Sequence, residues 1–188
     1  MFQNTETIFY FLVTNKKLNC KGDFMSDKNI IIIAPHPDDE IIGCFEVVSN
    51  YKTMILYDAS TPQLRREEAQ KLRDKYDIAA QVFLNNLPPQ WVTAKDSVFF
   101  FPDPIYETHP LHRQWGYAGE MMARAGQQVV FYNTIMNAPY IHEVDDFINK
   151  REVLDDVFKS QKNMWAWESK YFLFEGYNSW HYNLKGIL

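Results

Sequence analysis

From residue 29 onward, short unbroken apolar runs alternate with amphipathic stretches. Asn29 leads into four isoleucines and Ala34, apolar at every position. Such a run reads as a strand buried on both faces, the centre of a parallel sheet. Ile41, Ile42, Phe45 and Val48 then recur at helical spacing. Residues 52–57 read as a second strand, and 63–76 as a charged helix with Leu64, Ala69 and Leu72 inward. A third strand over 80–84 precedes a loop over 85–96 that carries Pro88, Pro89 and Trp91. The run Phe99, Phe100, Phe101 marks a buried strand over 97–101. A helix over 111–124, ended near Gly126, leads to a strand over 128–132. One long helix over 147–165 and a late strand over 170–174 complete the pattern. β-α-β alternation of this kind, without linker or repeat, predicts an α/β protein. Its architecture is a three-layer α/β/α sandwich with a mostly parallel, Rossmann-like sheet and right-handed crossovers.

The first 24 residues stand outside this pattern, so the division expected is an extension over 1–24 and one domain over 25–188. Ile8 to Val13 is apolar, but no basic region or small-residue cleavage site accompanies it, which makes a poor signal peptide. Lys21-Gly-Asp-Phe24 before Met25 can be encoded as AAA-GGA-GAT-TTT, a good ribosome-binding sequence. The native start is therefore expected at Met25, an expectation that N-terminal sequencing of protein from its source checks. A length of 188 residues suffices for one domain with a real core. No apolar run approaches the roughly 20 residues that span a bilayer. A net charge of −5 argues against a general nucleic-acid binder. Cys20 and Cys44 form neither a metal knuckle nor a disulfide framework, as expected in a reducing cytoplasm, and Cys44 reads as a small buried residue.

The chemistry concentrates after the first strand, in Pro35-His-Pro-Asp-Asp-Glu40. Two prolines fix the backbone around His36, and Asp38, Asp39 and Glu40 open the helix. In an open α/β sheet this is where active sites sit, beyond the carboxyl end of a central strand. One imidazole and one carboxylate are two-thirds of a catalytic zinc site, and a second carboxylate can take a proton from water. The third ligand is expected after a later strand. There, His109-Pro-Leu-His112 begins a helix, with Pro110 suited to the first helical position and the two histidines on one face. Neither a dinucleotide nor a triphosphate fingerprint is present.

At these residues the chain resembles the LmbE-like or PIG-L-type zinc-dependent N-deacetylases, from about Asn29 to Tyr177. The resemblance covers the H-P-D-D-E turn, Arg65-Arg-Glu-Glu-Ala69 opening the second helix, and Phe83-Leu-Asn-Asn-Leu-Pro88. It extends to the H-P-x-H segment and to Lys150 with Ser160-Gln161, which is similar to a late K…S-Q helix. The resemblance implies His36, Asp39 and His112 as zinc ligands (another divalent transition metal also suits such a set), with Asp38 as general base. It implies His109 as oxyanion stabiliser or proton donor, and Arg65 as a substrate contact. The implied reaction removes an N-acetyl group from an N-acetylglucosamine-type conjugate, a small-molecule substrate, in the cytoplasm and without membrane or nucleic-acid partners. Where the family usually writes H-P-D-H this chain has Leu111, so a shifted pH optimum is expected rather than loss of metal. The glycines after the first helix turn are partly replaced, and the chain is short for the family.

Several residues have a plainer reading beside the functional one. Arg65 and Glu68, a helical turn apart, could simply pair with each other. Asp58 ends the second strand and could face the cleft. His142 and His181 read as surface or satisfied histidines, and Asp145-Asp146 and Asp155-Asp156 as solvated faces or caps. Most tryptophans should be core, with Trp91 a candidate sugar-stacking wall. Three other functions compete with deacetylation of a small sugar: the same chemistry on a modified nucleotide or decorated DNA, an inactive sugar-binding relative, and a metallophosphoesterase. The last would need more ligands than the sequence offers.

Overall fold

The computed structural model describes residues 28–94, 96–135, 140–165 and 170–178. Its centre is a seven-stranded sheet in the order β3-β2-β1-β4-β5-β7-β6. β1 (Asn29–Ala34) pairs in parallel with β2 (Thr53–Asp58) on one side and β4 (Ser97–Pro102) on the other. β3 (Ile78–Leu84) and β5 (Gln128–Asn133) extend the parallel set outward. β7 (Phe174–Asn178) runs antiparallel to β5 and β6 (Tyr140–Glu143) antiparallel to β7, so the parallel sheet carries an antiparallel edge.

The isoleucine run explains the layers. Ile30, Ile32 and Ala34 point to one face, with Ile55, Tyr57, Phe100 and Tyr132. That face is covered by α1 (Asp39–Asn50), α2 (Gln63–Leu72) and α4 (Phe147–Val157), through Ile41, Phe45, Ala69, Leu72, Val153 and Leu154. Ile31 and Ile33 point the other way, with Leu56, Phe99 and Phe101, under Trp115, Met122 and Ala123 of α3 (Pro110–Arg124). α3 lies close to β4 because Gly116 permits it. A Cβ there would stand 2.6 Å from the Pro102 carbonyl oxygen. Among the described residues no helix is long and apolar enough to cross a membrane.

Three expectations need correction, and one strand was not expected. The helix expected over 147–165 stops at Val157, continues as a 3-10 turn over Lys159–Gln161 and resumes over Lys162–Trp165. In a continuous helix the Ser160 N–H would bond the Asp156 carbonyl; it donates instead to Glu68 Oε1 at 2.8 Å. The strand expected over 170–174 is a helical turn, Lys170–Leu173, followed by β7. A short aromatic run fits either state, and the burial of Phe172 decides. Leu64, expected inward, is 58% exposed, because α2 turns Ala69 and Leu72 to the sheet. β6 carries too few residues to have shown a strand period. The expectations for residues 1–24, for His181, Trp167 and Trp180, and for the side chains of His142 and Trp165 lie outside the described residues.

Candidate metal centre and active site

β1 connects to β2 on one side of the sheet and lies beside β4 on the other, so the strand order reverses between β1 and β4. The crevice at such a reversal is where open α/β sheets place their sites. Both histidine-bearing segments end there, one leaving β1 and the other lying between β4 and α3.

The first segment is a tight turn. The Asp39 N–H donates to the His36 carbonyl at 3.2 Å, and the His36 N–H donates to Asp39 Oδ2 at 2.7 Å. The turn is closed by a strained residue: Asp38 sits at φ 123°, the one non-glycine with positive φ among the described residues. Such conformations cost roughly 1–3 kcal/mol and persist only where the surroundings enforce them. Asp38 is 2% exposed. Its Oδ1 accepts from Arg65 Nη2 at 3.1 Å, while Oδ2 is buried without a hydrogen-bond partner. Its N–H donates to Glu40 Oε2 at 3.0 Å, and Glu40 Oε1 accepts from the Tyr57 hydroxyl at 2.7 Å. Burial pushes Glu40 up to about 7, with the Tyr57 bond pulling the other way. Burial, reinforced by Asp39, also holds the Asp38 carboxyl well above the usual range.

The second segment is positioned by Asp103, whose Oδ1 accepts the N–H groups of Ile105 and Tyr106 at 2.7 and 3.0 Å. His109 then caps α3, its Nδ1 accepting the Leu111 N–H at 3.3 Å. That bond places the neutral ring's proton on Nε2. One turn later His112 is 5% exposed.

The segments meet in a small triangle. His36 Nδ1 lies 3.0 Å from His112 Nε2, and Asp39 Oδ2 lies 3.3 Å from the first and 3.1 Å from the second. Ligand atoms about 2.0–2.2 Å from a tetrahedral ion stand roughly 3.3–3.6 Å apart, so the triangle matches such a site to within a few tenths of an ångström. His36, His109 and His112 together offer ring nitrogens within 4.8 Å of one another, a group that could hold a metal ion. Asp39 is the closer third donor, and His109 stands at the rim. The donor set, two imidazoles and a carboxylate converging on one point, is that of a transition-metal site rather than a calcium site.

Glu107 has a part the sequence did not announce. It is 2% exposed, and its Oε2 lies 3.1 Å from His112 Nδ1. Its Oε1 accepts from the Thr134 N–H and from Thr134 Oγ1 (2.9 Å) at the end of β5. With Nδ1–H directed to Glu107, the neutral His112 ring turns an unprotonated Nε2 into the triangle. Burial disfavours the charged ring, but without a cation Asp39 and Glu107 outweigh it and raise His112 to about 10. Burial also acts on Asp39, yet His112 and His36 overcome it and hold the Asp39 carboxyl far below its ordinary value. Burial lowers His109, and the neighbouring His112 and His36 add to the effect. The local signal that could have exposed Glu107 is its place five residues before His112, in the segment leaving β4.

The remaining candidates fall into place. Asp58 sits near the crevice but is engaged: Oδ1 accepts from the Ser60 N–H (2.8 Å) and hydroxyl (2.6 Å), and Oδ2 from the Trp115 indole (3.0 Å). Burial opposes its charge, and these bonds overcome it and lower the carboxyl. Arg65 and Glu68 do not pair with each other; Arg65 holds Asp38 and Glu68 holds Ser160. Trp91 packs beside Phe99 at a centroid distance of 6.3 Å, as part of the second core cluster rather than a free wall. Leu111 packs on the same cluster. Cys44 is fully buried. No family model matches the chain, and no curated protein matches it.

Proposed function

We propose that this protein is a metal-dependent N-deacetylase that hydrolyses the acetamide of an amino-sugar conjugate of the N-acetylglucosamine type, releasing amine and acetate. The observation that carries the reading is the triangle of His36 Nδ1, His112 Nε2 and Asp39 Oδ2, with the half-paired, buried Asp38 carboxylate next to it in the chain. His36, Asp39 and His112 would hold the ion, with zinc the best fit to two nitrogens and an oxygen. When bound, such an ion supplies Lewis acidity and lowers the pKa of a water in its open position to about 7.

The chain's own residues do the rest. Arg65 occupies Asp38 Oδ1, which leaves Oδ2 to accept the proton of the attacking water. As the carbonyl carbon becomes tetrahedral, the Nε2–H of His109 donates to the developing oxyanion, the type of contact whose loss costs roughly 3 kcal/mol. The proton taken by Asp38 passes to the amide nitrogen, the C–N bond breaks, and the amine leaves with that proton. The Leu111 N–H occupies His109 Nδ1, so His109 acts as a neutral donor rather than as the acid.

The test is a panel of N-acetylated amino-sugar conjugates incubated with zinc-loaded protein and scored for released primary amine. Amine release that a chelator abolishes supports the reading; no release from any conjugate by protein with one bound zinc overturns it. One observation favours a second reading: His112 bracketed by Asp39 and Glu107 would also be a stable ion triad without metal. The pH dependence given in the Discussion separates the two.

A further inference from the structure

Two stretches that stand apart in the sequence, Arg65–Glu68 and Ser160–Gln161, meet at one carbonyl oxygen. Pro37 O accepts from Arg65 Nη2 at 3.0 Å and from Gln161 Nε2 at 2.5 Å. Both lone pairs of that oxygen are therefore taken by side chains, one from each stretch. The two stretches are also tied to each other: Glu68 accepts the Ser160 N–H at 2.8 Å and the Ser160 hydroxyl at 2.6 Å. The circuit runs from Pro37 O through Arg65, along one turn of α2 to Glu68, across to Ser160, and back through Gln161. Glu68 is 3% and Gln161 5% exposed, Arg65 is half-buried, and Ser160 lies at the surface, so water is kept from the Gln161 bond to Pro37 above all. The peptide they grip leads into Asp38, the strained residue at φ 123°. Arg65 reaches past the carbonyl to the Asp38 carboxylate itself.

We propose that Arg65, Glu68, Ser160 and Gln161 form a single brace that holds the Pro37–Asp38 peptide in its strained conformation and thereby aims the Asp38 carboxylate. A strained residue relaxes unless its neighbours over-determine it, and two donors on the preceding carbonyl do that. The metal ligands need no such help, because His36 and Asp39 hold each other through their own turn. Gln161 is thus a positioning residue for Asp38, acting through the Pro37 carbonyl from 124 positions away in the chain. The inference rests on Asp38 being the base, and it makes the break in the helix after Val157 a functional feature. A helix that continued would leave Ser160 bonded to its own backbone and Gln161 unplaced.

The experiment uses the full chain with zinc and the variant Gln161→Met, which keeps the length of the side chain and removes the donor. Zinc stoichiometry should stay at the wild-type value, KM within about two-fold and kcat down by roughly 10–100-fold, the usual effect of misplacing a reacting group by an ångström. In labelled protein, the three-bond HN–Hα coupling and Cα shift of Asp38, which report its φ, should move, while those of Asp103 stay. Glu68→Met removes both acceptors that hold Ser160 and should reproduce the same pattern, which covers the case in which Gln161→Met does not fold. An unmoved Asp38 signal, or a kcat loss that comes with lost zinc or with an equal rise in KM, overturns the brace. If the wild-type protein hydrolyses no conjugate, the functional reading fails on its own, and the Asp38 coupling still decides whether the brace sets that residue's geometry.

Discussion

Helix α1 carries a buried charged cluster at each end of its first two turns, and they are built on opposite plans. At the N-terminus, Asp38 leaves one carboxylate oxygen without a partner and three ligand atoms face one another across 3.0–3.3 Å. Further along, the helix kinks at Cys44 (φ −142°, ψ 29°), where its own ladder is interrupted. The Phe45 N–H donates to Glu175 Oε1, and the Ile42 carbonyl accepts from Lys150 Nζ at 2.8 Å. Lys150 also pairs with Glu175 at 3.2 Å and bonds the Phe174 carbonyl at 3.1 Å, while Glu175 Oε2 accepts the Tyr177 hydroxyl at 2.6 Å. Both members of the pair are fully buried. In the second cluster both charges are matched, and the Phe45 N–H that leaves the ladder finds a carboxylate. In the first, converging donors and an unpaired oxygen are left over. A buried polar group without a partner calls for an explanation. At Asp38 the leftover oxygen lies beside the converging donors of the proposed metal site, whereas the Lys150–Glu175 pair is satisfied within the fold.

The comparison breaks most sharply at the ligands. His112→Ala should take zinc stoichiometry from one per chain to near zero, measured by metal analysis after dialysis. Undiminished zinc would show that His36, Asp39 and His112 are not the ligand set. Asp38→Asn should keep the zinc and the fold while hydrolysis falls by roughly 10²–10⁴-fold, the usual worth of a placed base. Full activity with metal bound would move the base elsewhere, with Asp58 the next carboxylate at the crevice.

The second cluster should answer in stability. Lys150→Met strands the Glu175 charge and the Ile42 carbonyl, and removing one partner of a buried pair costs about 3–5 kcal/mol. Chemical denaturation should show that loss, while the folded fraction keeps its zinc affinity. A change of under 1 kcal/mol would mean that the pair is not needed to hold the kink.

The pH dependence separates a metal centre from a permanent ion triad. His112 is raised to about 10 in the metal-free fold from an unfolded value near 6.5. A raised base contributes stability that is fully present below its unfolded pKa and lost as pH rises through its folded one. Metal-free protein should therefore melt at lower temperature at pH 9.5 than at pH 6. Zinc requires the deprotonated ring, so the zinc-induced rise in Tm should be larger at pH 8 than at pH 6. A zinc effect absent at both would favour the triad. At the small end, Leu64→Gln should change stability by less than about 0.5 kcal/mol, since the side chain is mostly in water.

Local sequence was sufficient wherever the controlling interaction is local. The isoleucine run dictated a strand buried on both faces, because alternate side chains of a central parallel strand both meet helices. Two prolines and an acidic helix start located the turn around His36, and the spacing of His109 and His112 placed both at the first turn of α3. Only the tertiary structure could join partners far apart in the chain. Glu107 finds Thr134 because β4 and β5 end side by side. Arg65 was legible as a helix-start arginine, but its grip on Asp38 depends on α2 packing against the same face of the sheet as α1. The long helix expected after 147 was broken by Glu68, and no propensity within 147–165 encodes a carboxylate brought in from 92 positions away. Hydrophobic period is a property of neighbours in sequence; the choice among competing hydrogen-bond partners belongs to neighbours in space, which exist only once the sheet has formed.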